Sequence, residues 1–289
     1  MILAEEYDVD LKKGVTMKWR VLISGKLSPA ENMAIDEALF SEVITGNSIP
    51  VLRFYDWEPA SVSIGYNQFA DKEVDFEALR KFGFGFVRRP TGGRMVLHQD
   101  EVTYSVIAPA EGRLQGNVIS AYSEISRALA VGLNKTGIQV DFEKGVLNPS
   151  GQREHINPCF NSVSKYELTY LGKKIVGSAQ VRKENCILQH GSVLLNRDQD
   201  QVAYLLPGID DEKREKIRKL MKKKTTAVNL ILTEPISFEN TANNLLNGFK
   251  EAWKGDEFVD EAQLSNQEKE KISALKTEKY ETTKWNKRK

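Results

Sequence analysis

The stretch Lys165–Leu195, KYELTYLGKKIVGSAQVRKENCILQHGSVLL, alternates apolar with polar or small residues at a period of two, the signature of strands with one buried face. Leu171-Gly172-Lys173-Lys174 and Lys183-Glu184-Asn185 interrupt the alternation and read as turns, so the stretch predicts a three-stranded meander. Downstream the pattern becomes helical over Asp210–Lys224, Ser237–Trp253 and Ser265 to about Lys279, the last opened by a capping box from Ser265 to Glu268. Upstream, Ser28-Pro29-Ala30-Glu31 combines a serine cap with proline at the first helical position, and Met33, Ile35, Ala38, Leu39 and Val43 follow at helical spacing, predicting a helix over 28–44. Pro50–Tyr55, Ser61–Tyr66, Gly83–Arg88 and Val102–Ala108 are β-rich runs separated by Pro, Gly, Asp and Asn, expected as strands of one sheet. An apolar stripe over 117–134 predicts another helix, and Ile138–Phe142 alternates as a strand. The expectation is an α+β fold, a mixed and largely antiparallel sheet flanked by helices.

The chain has 289 residues, with 41 Lys and Arg against 40 Asp and Glu, 28% charged and 40% apolar, an ordinary globular composition that excludes disorder throughout. No apolar run approaches the roughly 18 residues of a membrane span, and the acidic start MILAEEYDVDLKK is unlike a signal peptide, so a cytoplasmic location without a membrane partner is expected. Met17 offers a second start, and residues 1–16, which lack periodicity, are expected as a leader. Residues 17–254 would then form a catalytic domain and 255–289 a helical extension.

Asp211–Lys224 carries eight basic residues against three acidic ones on a nearly neutral chain. It is either a solvated helix face or a dock for an acidic protein. The segment has no aromatic residue for base stacking, which argues against nucleic acid.

Three blocks could carry chemistry. Arg88-Arg89-Pro90-Thr91-Gly92-Gly93-Arg94-Met95-Val96-Leu97-His98 is either a polar hairpin loop or a ligand loop, in which adjacent glycines let backbone N–H groups approach a ligand oxygen and the arginines are planar donors to a carboxylate, phosphate or thioester-linked head group. Asn157-Pro158-Cys159-Phe160 lies in a stretch without periodicity, so Cys159 is either structural or a nucleophilic thiolate beside a cation. In Gly172–Gln180, Lys174 is either a surface lysine at a turn or, since small residues follow it, the cation that reaches the carbonyl end of an acyl chain lying against the backbone of Gly177, Ser178 and Ala179. Cys186 falls in an alternating apolar run and reads as core. Of His98, His155 and His190 none has a partner at i, i+4, and no Cys/His spacing matches zinc, so no metal is expected. A strand glycine beside His190 again suggests close backbone approach.

In this order the blocks resemble the lipoyl and biotin ligase superfamily, in its lipoate-protein ligase A and octanoyltransferase branch. The resemblance covers most of 17–254: the helix Asn32-Met33-Ala34-Ile35-Asp36-Glu37-Ala38, the Arg-Arg-x-Thr-Gly-Gly-Arg loop ending at His98, Glu101-Val102-Thr103-Tyr104-Ser105, and Gly172–Ala179. Lys279-Tyr280 with Lys284-Trp285-Asn286 looks like the family's terminal segment. Cys159, fifteen residues before Lys174, is similar to the thiol of the cysteine-dependent LipM type. Arg94 stands where ligases often have a third glycine, and Gln99 where many members have Asp, with Asp100 one position later.

The resemblance implies a biotin/lipoyl ligase-like domain and a cofactor-free octanoyl transfer in lipoate biosynthesis. In it Cys159 takes the acyl group from octanoyl-acyl carrier protein and passes it to a lysine of a lipoyl domain such as the glycine cleavage H protein. Lys174 would assist the thiolate and the oxyanion. Arg88, Thr91, Gly92, Gly93, Arg94, His98, Gly177, Ser178, Ala179 and His190 would bind substrate. The rival readings are an ATP-dependent lipoate ligase, a LipL-type amidotransferase between lipoyl domains, and a silent lipoyl-domain binder.

Overall fold

The computed structural model describes residues 16–143, 167–260 and 262–288. In chain order the first half supplies β1 (Lys18–Leu27), α1 (Pro29–Ile44), β2 (Val51–Trp57), β3 (Ser61–Ile64), α2 (Ala70–Glu73), α3 (Phe76–Lys81), β4 (Gly85–Arg88), β5 (Val96–His98), β6 (Glu101–Pro109), α4 (Val118–Lys135) and β7 (Asp141–Glu143). Then follow β8 (Glu167–Tyr170), β9 (Lys173–Lys174), β10 (Val176–Lys183), β11 (Cys186–Leu194), α5 (Asp211–Lys224), α6 (Phe238–Ala252), β12 (Glu257–Val259), α7 (Asn266–Leu275) and α8 (Thr283–Asn286).

Six strands make the central sheet in the order β10-β11-β6-β2-β1-β12. Its β10-to-β2 half is antiparallel, and β1 runs parallel to both β2 and β12. The fold is thus α+β with a mixed sheet flanked by helices, as expected. Period two sorts the side chains. Trp19, Leu52, Phe54, Tyr104 and Val106 pack beneath α4 and α6 with Phe249 and Trp253, and Val51, Tyr55, Ile107 and Leu188 face α1. Burying each such large side chain contributes about 1.5–3 kcal/mol. Helix α1 begins where Ser28 Oγ accepts the Glu31 N–H. It is buried on nearly every side because α7 and the residues after it cover the flank that the sheet does not. Lys271 pairs with Glu42 and Lys279 with Glu37, each at 2.6 Å, and Arg20 with Glu268 at 2.5 Å. The segment expected as an extension therefore begins with an edge strand of the central sheet and continues along α1.

Two strand expectations need correction. The four β-rich runs do not share a sheet: β2 and β6 lie in the central one, and β3, β4 and β5 form a separate sheet in the order β4-β3-β5. The chain turns away after Trp57 at Pro59, which has no N–H to extend a ladder. The meander is divided too. Strands β8 and β9 belong to a small sheet with β7, and β10 and β11 to the central sheet. The change falls at Ile175, whose N–H donates to the Leu168 carbonyl and whose own carbonyl accepts from Leu194. Alternation reports an extended chain, not its partners. The turns are where they were expected, with Leu171-Gly172 and Glu184-Asn185 at positive φ linking paired strands.

Candidate active site

The register of the central sheet builds two polar rows on the face toward α1. Arg53 lies opposite Ser105, Ser105 opposite His190, and His190 opposite Ala179. The adjacent row runs Tyr55, Thr103, Ser192 and Gly177. Helix α1 lowers Asp36 onto the first row. Its carboxylate accepts from Arg53 Nη1 at 2.8 Å and Ser105 Oγ at 3.0 Å on one oxygen, and from Tyr55 Oη at 2.9 Å on the other, which also meets His190 Nδ1 at 3.1 Å. Both Asp36 and Arg53 are fully buried.

Burial by itself would raise the Asp36 pKa, but the His190 hydrogen bond and the Arg53 charge outweigh it and hold the carboxyl below its ordinary value. Burial depresses His190 despite the neighbouring Asp36, so at neutral pH the pair is a carboxylate and a neutral imidazole. Nδ1–H then donates to Asp36, and Nε2 accepts from Thr91 Oγ1 at 2.7 Å. Burial and the Asp36 charge push the Tyr55 phenol well up, which keeps it a donor.

A second cluster surrounds His98. Its Nε2 lies 2.7 Å from Ser63 Oγ and its Nδ1 2.8 Å from Glu101 Oε1, and the imidazole stacks on Trp57 at 4.1 Å between centroids. The same Glu101 oxygen accepts from Thr103 at 2.5 Å and Ser192 at 2.7 Å. Glu101 Oε2 is buried without a hydrogen-bond partner. Asp100 is at φ 50° and pairs with Arg197 at 2.9 Å, so the carboxylate that meets His98 is Glu101.

Between these clusters lies a cleft of about 380 Å³, counting the space open to solvent at its mouth. Gly177, Ser178, Ala179, His98 and His190 line it, joined by Trp57, Ser63, Arg89 and Met33. Gly191 makes the close approach possible, since a Cβ there would lie 2.4 Å from Ser178 Oγ and 2.6 Å from the Gly177 carbonyl. Thr91 reaches the site through His190. Gly92 accepts from Arg89 through its carbonyl, as does Arg94, and Gly93 is exposed at φ 92°.

Arg88 faces away from the cleft. Its guanidinium donates to the carbonyls of Gly65, Tyr66, Gln68, Trp285, Asn286 and Arg288 at 2.7–3.2 Å, tying the glycine-rich loop region to the end of the chain. Lys174 is buried at the end of β9, three residues before Gly177, and its carbonyl accepts from Thr226 N–H at 3.0 Å. Cys159 and His155 lie outside the described residues. Cys186 is buried in the core, where burial and then the Glu111 and Glu184 charges raise its thiol pKa.

The profile of the lipoyl protein ligase A/B catalytic domain matches residues 28–250. The chain belongs to this family. It is 41% identical to octanoyltransferase LipM of Kyrpidia tusciae across 94% of this chain and 99% of that protein. To octanoyltransferase LipM of Lysinibacillus sphaericus it is 38% identical, over 93% and 98%. Among solved structures it is similar to the bi-partite lipoate protein ligase of Thermoplasma acidophilum, with a TM-score of 0.78 and 27% identity over 94% of this chain and 98% of that one. Similarity to octanoyltransferases over nearly the whole length of both chains makes the protein an acyltransferase.

The cleft and the clusters beside it bring in side chains that the sequence alone does not assign to the site: Asp36, Arg53, Tyr55, Glu101 and Ser192. Signals for the first two were present. Asp36 sits three residues after Met33 and three before Leu39, inside the apolar stripe of α1, and Arg53 is a lone charge in the run Val51-Leu52-Arg53-Phe54-Tyr55. Among the described residues no group of three or more His, Cys, Asp and Glu is arranged to hold a metal, and no helix is long and apolar enough to cross a membrane.

Proposed function

We propose that the protein is a cytoplasmic octanoyltransferase that carries octanoyl from octanoyl-acyl carrier protein to a lysine of a lipoyl-domain protein, such as the glycine cleavage H protein, through a thioester on Cys159. The near full-length similarity to octanoyltransferases LipM carries this reading. The cleft supports it. Asp36 and Arg53 spend their charge on each other and on Ser105, Tyr55 and His190, and Glu101 meets His98, Thr103 and Ser192. The slot is left with predominantly apolar walls of glycine backbone, Ala179, Met33 and Trp57, suited to a slender acyl chain.

The Cys159 thiolate attacks the thioester carbonyl, a new C–S bond forms as the donor's C–S bond breaks, and the donor leaves as a thiolate that takes its proton from water. The neutral ε-amine of the acceptor lysine then attacks the enzyme thioester, forms the amide bond, releases the Cys159 thiolate and loses a proton. Each thioester already stores the energy for the next transfer, so no nucleotide enters. Lys174 supplies the positive charge that favours the thiolate and donates to the oxyanion of both tetrahedral intermediates, an effect worth about 3 kcal/mol for a well-placed donor. His98, His190, Thr91 and the 177–179 backbone shape and orient the acyl site, with Gly92, Gly93 and Arg94 in the loop above them.

Intact-protein mass spectrometry after mixing the enzyme with octanoyl-acyl carrier protein, without ATP, tests the scheme. A gain of one octanoyl group on the wild type, reversed by hydroxylamine and missing from Cys159→Ala, is expected. No adduct, with modification of a lipoyl domain only when lipoate and Mg-ATP are supplied, would replace this reading with that of a ligase.

A further inference from the structure

Two exposed features adjoin Lys174, and the two-step transfer uses neither. The first is α5. Ile217 and Met221 turn inward and pack on neighbouring apolar side chains, and Lys216, Lys219, Lys222 and Lys223 are exposed. Local partners take up part of this charge: Lys216 meets Glu212 at 2.6 Å and Lys219 meets Glu215 at 4.0 Å, both pairs open to solvent and screened, and Asp200 meets Arg218 at 3.0 Å and Lys222 at 3.4 Å. Counted with its N-cap Asp210 and with Asp200, helix α5 keeps three net positive charges in a chain whose whole formal charge is +1.

The second is Leu171, at the tip of the β8–β9 turn. It is 80% exposed and adopts φ 48°, a left-handed position where hairpins favour Asn, Asp or Gly. Water on its side chain and strain in its backbone both act against leucine, and among the described residues it stays open to solvent. At the tip of a hairpin bridged to a basic helix, it offers an apolar contact to a body that rests on that helix.

The fold brings both features to the same place. Lys174 pairs with Thr169 in the hairpin, and on its other side Thr225, the residue that ends α5, forms a parallel bridge with it. A macromolecule resting on the lysine stripe and the leucine tip would sit over the strand end that carries Lys174.

Building on the proposed function, we propose that α5 and the Leu171 tip are the docking surface for the acyl donor, an acidic carrier protein. Charge complementarity selects the partner, since a positive stripe accelerates encounter with a negative surface.

The experiment compares the wild type with Lys216→Gln/Lys219→Gln/Lys223→Gln and, separately, with Leu171→Asn, which suits the turn better than leucine and leaves the fold intact. Binding of fluorescently labelled octanoyl-acyl carrier protein is titrated at several salt concentrations. Acylation rates are measured with the same carrier protein and with a small octanoyl thioester that has no carrier. The triple variant is expected to lose roughly tenfold or more in carrier-dependent acylation at low salt, with a flatter salt dependence, and Leu171→Asn roughly fivefold, while both react normally with the small thioester. Unchanged carrier binding and acylation in both variants would overturn the docking surface. So would normal acylation with slowed transfer to the lipoyl domain, which would give the surface to the acceptor. A wild type that takes no acyl group from either thioester refutes the function on which the proposal rests, and the binding titration then decides the docking surface by itself.

Discussion

Asp36→Asn alters one atom and removes the negative charge from the centre of the site. The carboxylate takes four contacts, two on each oxygen, from Arg53, Ser105, Tyr55 and His190. An amide has one acceptor oxygen, so its NH₂ must face one of these two pairs. Facing Tyr55 and His190 is the cheaper choice, because the imidazole can exchange tautomers and donate from Nε2 to Thr91 instead. Arg53 is then a fully buried cation with only the neutral acceptors Asn32 and Ser24 beside the new amide. Breaking a buried pair costs about 3–5 kcal/mol, and the retained hydrogen bonds place the variant near the lower figure. At about 2–4 °C per kcal/mol for a chain of this size, Tm should fall by about 10 °C. Urea denaturation should show a lower midpoint at unchanged slope. Arg53→Met alone should cost a similar amount by stranding the anion. The double variant should lie at least about 2 kcal/mol above the sum of the singles, because neither charge remains. Singles that each cost under about 1 kcal/mol, or strict additivity, would refute the ion pair as the organiser of this site.

Three further outcomes follow from the same geometry. His190 has a folded-state pKa below its unfolded value near 6.5, so its contribution to stability is complete above about pH 6.5 and is lost as pH falls toward the folded value. His190→Gln should flatten the urea midpoint between pH 7 and 5, and an unchanged slope would contradict the depressed pKa. Gly191→Ala should cost about 1–3 kcal/mol through its contacts with Ser178 and Gly177 and should suppress octanoyl uptake, checked by thermal melting beside the mass assay. Arg88→Ala strands six carbonyls and should open the chain end to limited proteolysis within residues 276–288, whereas a wild-type digestion pattern would show that these bonds are dispensable.

Local patterning made most elements legible. The caps at Ser28 and Ser265 start helices where the sequence places them, and the Leu171-Gly172 and Glu184-Asn185 turns fall between the expected strands. Partnership was not legible. Nothing local in Gly83–Arg88 or Lys165–Lys174 says which sheet will accept the strand, because that depends on where Pro59 and Ile175 redirect the chain. The site followed the same division. Residues in dense motifs, such as His98, His190 and Gly177–Ala179, could be read as chemical candidates and line the cleft. Arg88, from the same motif, turns its guanidinium to backbone carbonyls, a role set by residues nearly two hundred positions away. Asp36 and Arg53 carry signals of their own, but a charge within an apolar pattern becomes a pair only when α1 crosses β2.

The Arg88 anchor also bears on how the molecule is made. Its carbonyl partners at Trp285, Asn286 and Arg288 lie 197 to 200 residues further along the chain. At about 5–20 residues per second, translation reaches them roughly 10–40 s after Arg88. During that interval the guanidinium has the carbonyls of Gly65, Tyr66 and Gln68 but lacks the other half of its cage. The loop that Arg88 anchors is therefore completed only once residues 285–288 have been made, and until then the nascent chain holds it by half of its ties.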